Sequence, residues 1–288
     1  MRARLRYPWT IALAGALAAV SVLVAGSSAP ATVRSRAPMP EFQFTRLQYD
    51  DVDMGFGFGR RGLGSWTTDM PDAEYHFLQG LRRLSRVESA DEGTYVRALD
   101  PELFDHPWIY GVEVGRWSLS DEEAAQLREY LLRGGFLMVD DFHGTVQWEG
   151  FMDSMRRVFP DKPVVDIPDD HEVFHVAYDL GGPYTPFNIA AREGPSGNVR
   201  GASQQGGHRK VQIPGVWSIM NGTTYEQDGT VPRWRGIFDD EGRLMVAINF
   251  NMDMGDAWEH ADDPRYPQVM TALAYRFGVN YVLYAMTH

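Results

Sequence analysis

The sequence predicts an α/β protein. A mostly parallel sheet carries helices on both faces, three layers in all, and the chain closes with a β-hairpin and a long terminal helix. Three observations predict this. The stretch 119–159 reads helix, strand, helix, and such alternation builds parallel sheets with covered faces. The strand inside it, FLMV (136–139), is apolar throughout, as expected where both sheet faces are buried. RWRGIFDDEGRLMVAINFN (233–251) holds two strand-like runs around a DDEG turn, a hairpin pattern that makes one strand antiparallel.

The chain opens with Arg2, Arg4 and Arg6, then an apolar run from Trp9 to about Gly26, with small residues at Ala25-Gly26 and Ala29–Ala31. A basic start, an apolar stretch and a small-residue boundary predict a signal peptide or an N-terminal membrane anchor over residues 1–31. The mature chain is then periplasmic, or anchored to the outer face of the inner membrane. Residues 32–40 (TVRSRAPMP) read as a linker, and 41–288 as a single α/β domain.

Within that domain, EFQFTRLQY (41–49) alternates as a first strand, followed by a Gly-rich loop. TDMPDAEYHFLQGLRRL has Asp69 at the expected cap and an apolar face of Phe77, Leu78, Leu81 and Leu84. TYVRAL (94–99) and WIYGVEV (108–114) read as strands. SLSDEEAAQLREYLLRGG carries a capping box, Ser120 with Glu123, and a glycine stop at Gly134 or Gly135. VQWEGFMDSMRRVF (146–159) continues as a helix. Residues 181–232 hold many Gly and Pro with no sustained period, so they predict a loop-rich insertion. DPRYPQVMTALAYRFGVNYVLYAM predicts the terminal helix.

Composition excludes several classes. The chain has no cysteine, which rules out disulfides, thiolate metal sites and a cysteine nucleophile. Its formal net charge is −12, and loss of residues 1–31, with three arginines and no acids, makes it −15. So acidic a domain is a poor polyanion binder, so nucleic acid is not an expected partner. GFGFGRRGLG is GxGxG rather than GxGxxG and has no lysine beside it, which suits a flexible loop better than a phosphate cradle. No GxSxG, HExxH or phosphate-loop motif occurs.

Ligands of open parallel sheets bind beyond the carboxyl ends of the strands. Three segments place polar residues there: Trp66 and Asp69 after the first strand; Asp140, Asp141 and His143 after 136–139; Asn251, Asp253, Asp256, Trp258 and Glu259 after 244–250. His171, in PDDHEVFH, joins the candidate set. Of these, Asp141, His143, His171, Asp253 and Asp256 have the donor types for a divalent metal, oxygen with one or two imidazoles. Each also has a structural reading. Asp69 suits a helix cap; Asp140, Asp141, Asp253 and Asp256 suit turns; His171 suits a loop hydrogen bond.

FQFTRLQY, WTTDMPDAEYHF, DPELFDHPWIYG, LSDEEAAQLREYLLRGGFLMVDD, DDHEVFHVAYDL and NMDMGDAWE, in this order, resemble the bacterial domain of unknown function 4159 over about residues 42–285. The resemblance implies a three-layer sandwich like that of the class I glutamine amidotransferases, with a flavodoxin-like sheet. It implies export or membrane tethering and supplies no reaction. The amidotransferases carry a cysteine at a strand-to-helix elbow, where this chain has Asp140 and Asp141, so glutamine hydrolysis through a thioester is excluded. Two readings follow. One is a non-catalytic module of the cell envelope, binding a carbohydrate-like or other small ligand, or an envelope or membrane protein, beside Trp66, Trp148, Trp217 and Trp258. The other is a metal-assisted hydrolase using the Asp/His cluster.

Overall fold

The computed structural model describes residues 40–52, 62–180 and 212–288. The N-terminal segment 1–31, most of the linker, the Gly-rich run 53–61 and the first part of the insertion lie outside them. Residues 40–288 form one compact unit.

Nine strands occur among the described residues: β1 Thr45–Gln48, β2 Asp50–Asp51, β3 Thr94–Arg97, β4 Trp108–Val112, β5 Trp117–Ser118, β6 Phe136–Asp140, β7 Val165–Asp166, β8 Arg233–Phe238 and β9 Leu244–Phe250. The α-helices are α1 Asp72–Leu84, α2 Asp121–Leu132, α3 Gly144–Val158, α4 Val216–Met220, α5 Met254–Glu259 and α6 Gln268–Thr287. Seven strands form one sheet in the order β3-β1-β4-β6-β9-β8-β7. Only β8 runs against the rest, paired antiparallel with β9 and β7. The mostly parallel α/β sheet, hairpin and terminal helix are as the sequence predicts. The chain also pairs β2 with β5 in a small separate ribbon, which two-residue strands give no periodicity to reveal.

Alternation along the strands sorts side chains into two cores. Trp108, Tyr110, Phe136 and Met138 face Phe77 of α1, Trp258 of α5 and Tyr281 of α6. Ile109, Leu137, Val139 and Ile248 face Leu127 of α2 and Phe151 and Met155 of α3. The arrangement is therefore consistent with three layers. The capping box of α2 forms in both directions, with Ser120 Oγ accepting from the Glu123 amide at 3.1 Å and Glu123 Oε2 from the Ser120 amide at 2.8 Å. Gly134 ends that helix in the left-handed region, at φ 107°. Asp69 is not the cap of α1. Pro71 holds that position, and Asp69 lies further out with φ 64°, so its carboxylate is free of the helix. No helix among the described residues is long and apolar enough to cross a membrane.

Candidate functional site

The strands β1, β4, β6 and β9 are mutually parallel, with Arg46 opposite Tyr110, Val112 opposite Asp140, and Val139 opposite Ile248. Their carboxyl ends share one edge. The chain steps from β1 outward to β3 and then crosses to β4 on the other side, which leaves a crevice at this edge. Three strands leave the sheet through a left-handed residue placed directly after the last strand position: Glu113 at φ 52°, Asp141 at 54° and Asn251 at 62°. Asp and Asn tolerate this region through local hydrogen bonding, whereas for Glu113 it costs about 1–2 kcal/mol.

Several predicted site residues build the crevice wall. Asp140 Oδ2 accepts the amides of Met254 at 2.6 Å and Gly255 at 3.1 Å, so it clamps the start of α5. Asp253 caps the same helix, accepting the Asp256 amide at 2.7 Å. Asn251 accepts the Gly144 amide at 2.9 Å and donates to the Val231 carbonyl at 2.7 Å, tying β9 to α3 and to the insertion. His143 is buried, with Nε2 3.3 Å from Asp141 Oδ1 and Nδ1 without a partner.

At the centre, Asp69, Asp253 and Asp256 each offer one carboxylate oxygen, and these atoms lie within 4.8 Å of one another. Asp256, Glu259 and His260 do the same. Two glycines permit the approach. A Cβ on Gly255 would stand 2.1 Å from Asp69 Oδ2, and one on Gly215 would stand 2.7 Å from Asp253 Oδ2. Asp69 Oδ2 is shielded from solvent and has no hydrogen-bond partner, and the same holds for Oδ1 of the fully buried Asp140. The Val216 amide, at the start of α4, donates to Asp256 Oδ2 at 2.6 Å, so the insertion touches the cluster.

Burial, then neighbouring negative charge, drives the carboxyls upward. Asp69 rises well above the ordinary range through burial, then Asp256 and Asp141; Asp253 through burial, then Asp141 and Asp256; Asp141 through burial, then Asp256 and Glu226. Glu113 is pushed up to about 8 by burial and by Asp141, although Arg116 lies 2.6 Å away. Arg46 lies fully buried beneath the crevice, but its guanidinium pairs with Glu74 and donates to the carbonyls of Trp66 at 3.1 Å and Thr68 at 2.6 Å. It holds the loop that carries Asp69 and is already matched by Glu74.

The structure thus brings together Asp69, Asp140, Asp141, His143, Asn251, Asp253, Asp256 and Glu259. It excludes His171. That residue packs on Phe238 and Tyr284 at the amino edge of the sheet, and its Nδ1 accepts the Val173 amide at 3.2 Å. The loop after β7 carries it back along the edge strands, away from Asp141, His143, Asp253 and Asp256. Trp258 is also misplaced as a crevice aromatic: it is wholly buried against Phe77, with ring centroids 4.6 Å apart. Trp66 is buried too and packs on Tyr95. Trp148 stacks among Phe142, Phe250 and Arg235. Trp217, next to the Val216 amide on Asp256, is 68 % exposed.

Tyr110, whose hydroxyl donates to Asp140 Oδ2 at 3.4 Å, Glu113, Glu226 and His260 join the cluster without being among the residues the sequence predicts for it. Of these only His260 had a readable signal, since Asp256, Glu259 and His260 stand at i, i+3 and i+4 and so share one helical face.

A family model described as Domain of unknown function (DUF4159) matches residues 43–286. The chain belongs to this family. The DUF4159 match runs from just before β1 to the last turn of α6, so every residue of the acidic crevice falls inside it. Among curated proteins, none matches this DUF4159 chain.

Proposed function

We propose that this is an exported ligand-binding domain of the cell envelope whose crevice takes a divalent cation on Asp69, Asp253 and Asp256. One observation carries the reading: three carboxylate oxygens converge within 4.8 Å, and one of the three residues, Asp69, has a buried oxygen that no protein group satisfies. Leaving such a buried oxygen unmatched costs about 1–3 kcal/mol, and ionising the carboxyl there without a cation costs more. The donor set fits the ion. It is all oxygen, which suits magnesium, calcium or manganese, and the two glycines open the space that side chains would fill. Such an ion supplies positive charge to an acidic crevice and so gives it affinity for oxygen-bearing ligands. Trp217, exposed beside it, offers a ring face to a sugar-like or peptide ligand.

Hydrolytic use of the crevice is the second reading, favoured by His143. Its imidazole is buried, sits beside Asp141 and keeps Nδ1 unpartnered, as a proton acceptor for a water would. Export rests on the basic and apolar start of the chain.

Isothermal titration of the chelator-treated protein with calcium and manganese tests the cation. We expect saturable binding that Asp253→Asn weakens about tenfold or more, because charge count sets affinity in oxygen sites. No binding of either ion ends the reading. Cell fractionation tests export: recovery of the full-length chain from the soluble cytoplasm would reject it.

A further inference from the structure

The residues around Asp256 form not one group of donors but two. Asp69, Asp253 and Asp256 are the inner group, and Asp256, Glu259 and His260 are the outer one. In each group the candidate ligand atoms lie within 4.8 Å of one another, about the span across one small cation at ordinary ligand distances. Asp256 belongs to both. Its Oδ1 lies 3.6 Å from His260 Nε2, and His260 Nε2 lies 3.5 Å from Glu259 Oε2. These are ion-pair distances, too long for strong hydrogen bonds, and Glu259 shares a hydrogen bond with Asp256, so the three side chains already turn toward a common point.

The two groups differ in burial and chemistry. The side chains of Glu259 and His260 are 29 % and 26 % exposed, against 12 % for Asp256, so the outer group faces the solvent side of the crevice and has an entry path. The inner group is oxygen only, while the outer one includes an imidazole. Imidazole favours a transition ion such as zinc over magnesium and calcium, and manganese is a transition ion that oxygen donors also suit. The inner group also contains an atom that points to a ligand beyond the protein, Asp69 Oδ2, which is buried without a partner.

We propose that the crevice is a two-ion centre. Asp256 is the shared carboxylate, the inner ion sits on Asp69 and Asp253, and a second ion of the manganese or zinc type sits on Glu259 and His260. The inference rests on the proposed cation site and extends it. A carboxylate that bridges two ions is the arrangement by which paired metals are held about 3.5–4 Å apart. The helical spacing of the outer donors makes this economical in sequence, since Asp256, Glu259 and His260 come from one turn of one helix and its cap.

Manganese titration of the full-length, chelator-treated chain reads the proposal, with electron paramagnetic resonance of the loaded protein alongside. We expect two ions per chain, with a spin-coupled signal from the pair. His260→Ala should bind one ion and give the signal of isolated manganese, with an unchanged circular dichroism spectrum. Glu259→Gln should do the same if alanine at 260 disturbs the helix end. Two coupled ions that persist in both variants would overturn the outer site. A single ion in the wild-type chain would overturn the pair while leaving the inner cation site standing. No ion at all would remove both readings.

Discussion

The two edges of the sheet are made by the same strands and differ in how their polar groups are matched. At the amino edge most groups close on one another, Trp108 Nε1 being the exception. The Tyr130 hydroxyl donates to the His106 carbonyl at 2.9 Å and accepts the Phe136 amide at 3.3 Å. Arg243 donates to Asp239 at 3.0 Å, to the Gly135 carbonyl at 3.2 Å and to the Leu131 carbonyl at 2.5 Å. The Tyr284 hydroxyl accepts the Leu244 amide at 2.9 Å. At the carboxyl edge, Asp69, Asp141, Asp253 and Asp256 crowd together, and Asp69 Oδ2, Asp140 Oδ1 and His143 Nδ1 find no partner. Unmatched buried groups are costly, so their concentration at one edge marks where stability has been given up for binding.

The largest test of this contrast targets the most deeply buried ion pair beneath the carboxyl edge. Arg46 and Glu74 are both buried and paired. Glu74→Gln leaves the guanidinium charge without its counterion, and breaking a buried pair in this way costs about 3–5 kcal/mol. Denaturant unfolding should register that loss as a lower midpoint. A loss below about 1 kcal/mol would mean that Arg46 is held by the crevice acids instead, and that the edge is less unbalanced than its geometry indicates.

Next in size is the effect of a cation. An ion present at about a hundred times its dissociation constant stabilises the folded state by about 2.7 kcal/mol. For a domain of this size that is roughly 5–10 °C in melting temperature. Calcium or manganese should produce the shift in the wild-type chain and in His171→Ala, and a shift about half as large or smaller in Asp253→Asn, as a tenfold or greater loss of affinity requires. A His171→Ala variant that loses the shift would contradict the placement of that histidine at the other edge.

His171 marks the limit of what local sequence states. The elements and the mostly parallel direction of the strands are legible because apolar runs and turns are local signals: FLMV, DDEG and the capping box each state their element, whereas the order of the strands in the sheet is not stated locally. The crevice was legible at strand ends for the same reason, and Asp140, Asp141, Asn251, Asp253 and Asp256 all follow strands whose direction could be inferred. His171 sits in a loop with no periodicity, so nothing local says which edge it reaches. Trp258 reads as a site aromatic by its neighbours Asp256 and Glu259, yet the helical turn rotates it into the core. Glu113 follows a strand in the same way as Asp141, but a lone glutamate beside Arg116 looks like a surface ion pair until its burial is seen.

A smaller, two-sided effect separates the edges by pH. Carboxyls whose folded pKa lies above the unfolded value hold protons that the unfolded chain releases. Their contribution is complete below the unfolded pKa and is lost as pH rises through the folded one. For Glu113 that window runs from 4.5 to about 8, and Asp69, Asp141 and Asp253 act in the same direction. The chelator-treated protein should therefore lose stability across this range, and Glu113→Gln should flatten the loss. At the amino edge, burial lowers the pKa of His106 and His171, so their contribution is present above the ordinary histidine value of about 6.5 and is lost as pH falls below it. Melting curves of the wild type, Glu113→Gln and His171→Ala across pH 5 to about 8 would distinguish the two contributions. A wild-type profile that rises toward pH 8 without metal would contradict the crowding at the carboxyl edge.

The smallest expected effect isolates Asp141. It has φ 54°, and its carboxylate faces other acids rather than a cationic side chain in hydrogen-bond contact, apart from His143. Asn tolerates the left-handed region and keeps an acceptor oxygen for His143, while the negative charge goes. Asp141→Asn should therefore leave the metal-free fold unharmed or raise its stability by up to about 1 kcal/mol, through reduced repulsion. Alanine removes the same charge but has no side chain to support the left-handed backbone, which costs about 1–2 kcal/mol. The difference between Asp141→Asn and Asp141→Ala, measured by urea unfolding without metal, then reports backbone strain together with the lost acceptor for His143, and the difference between Asp141→Asn and wild type reports charge. If asparagine destabilises as much as alanine does, Asp141 is a hydrogen-bonding member of the wall, like Asp140, rather than one of the groups that a cation would relieve.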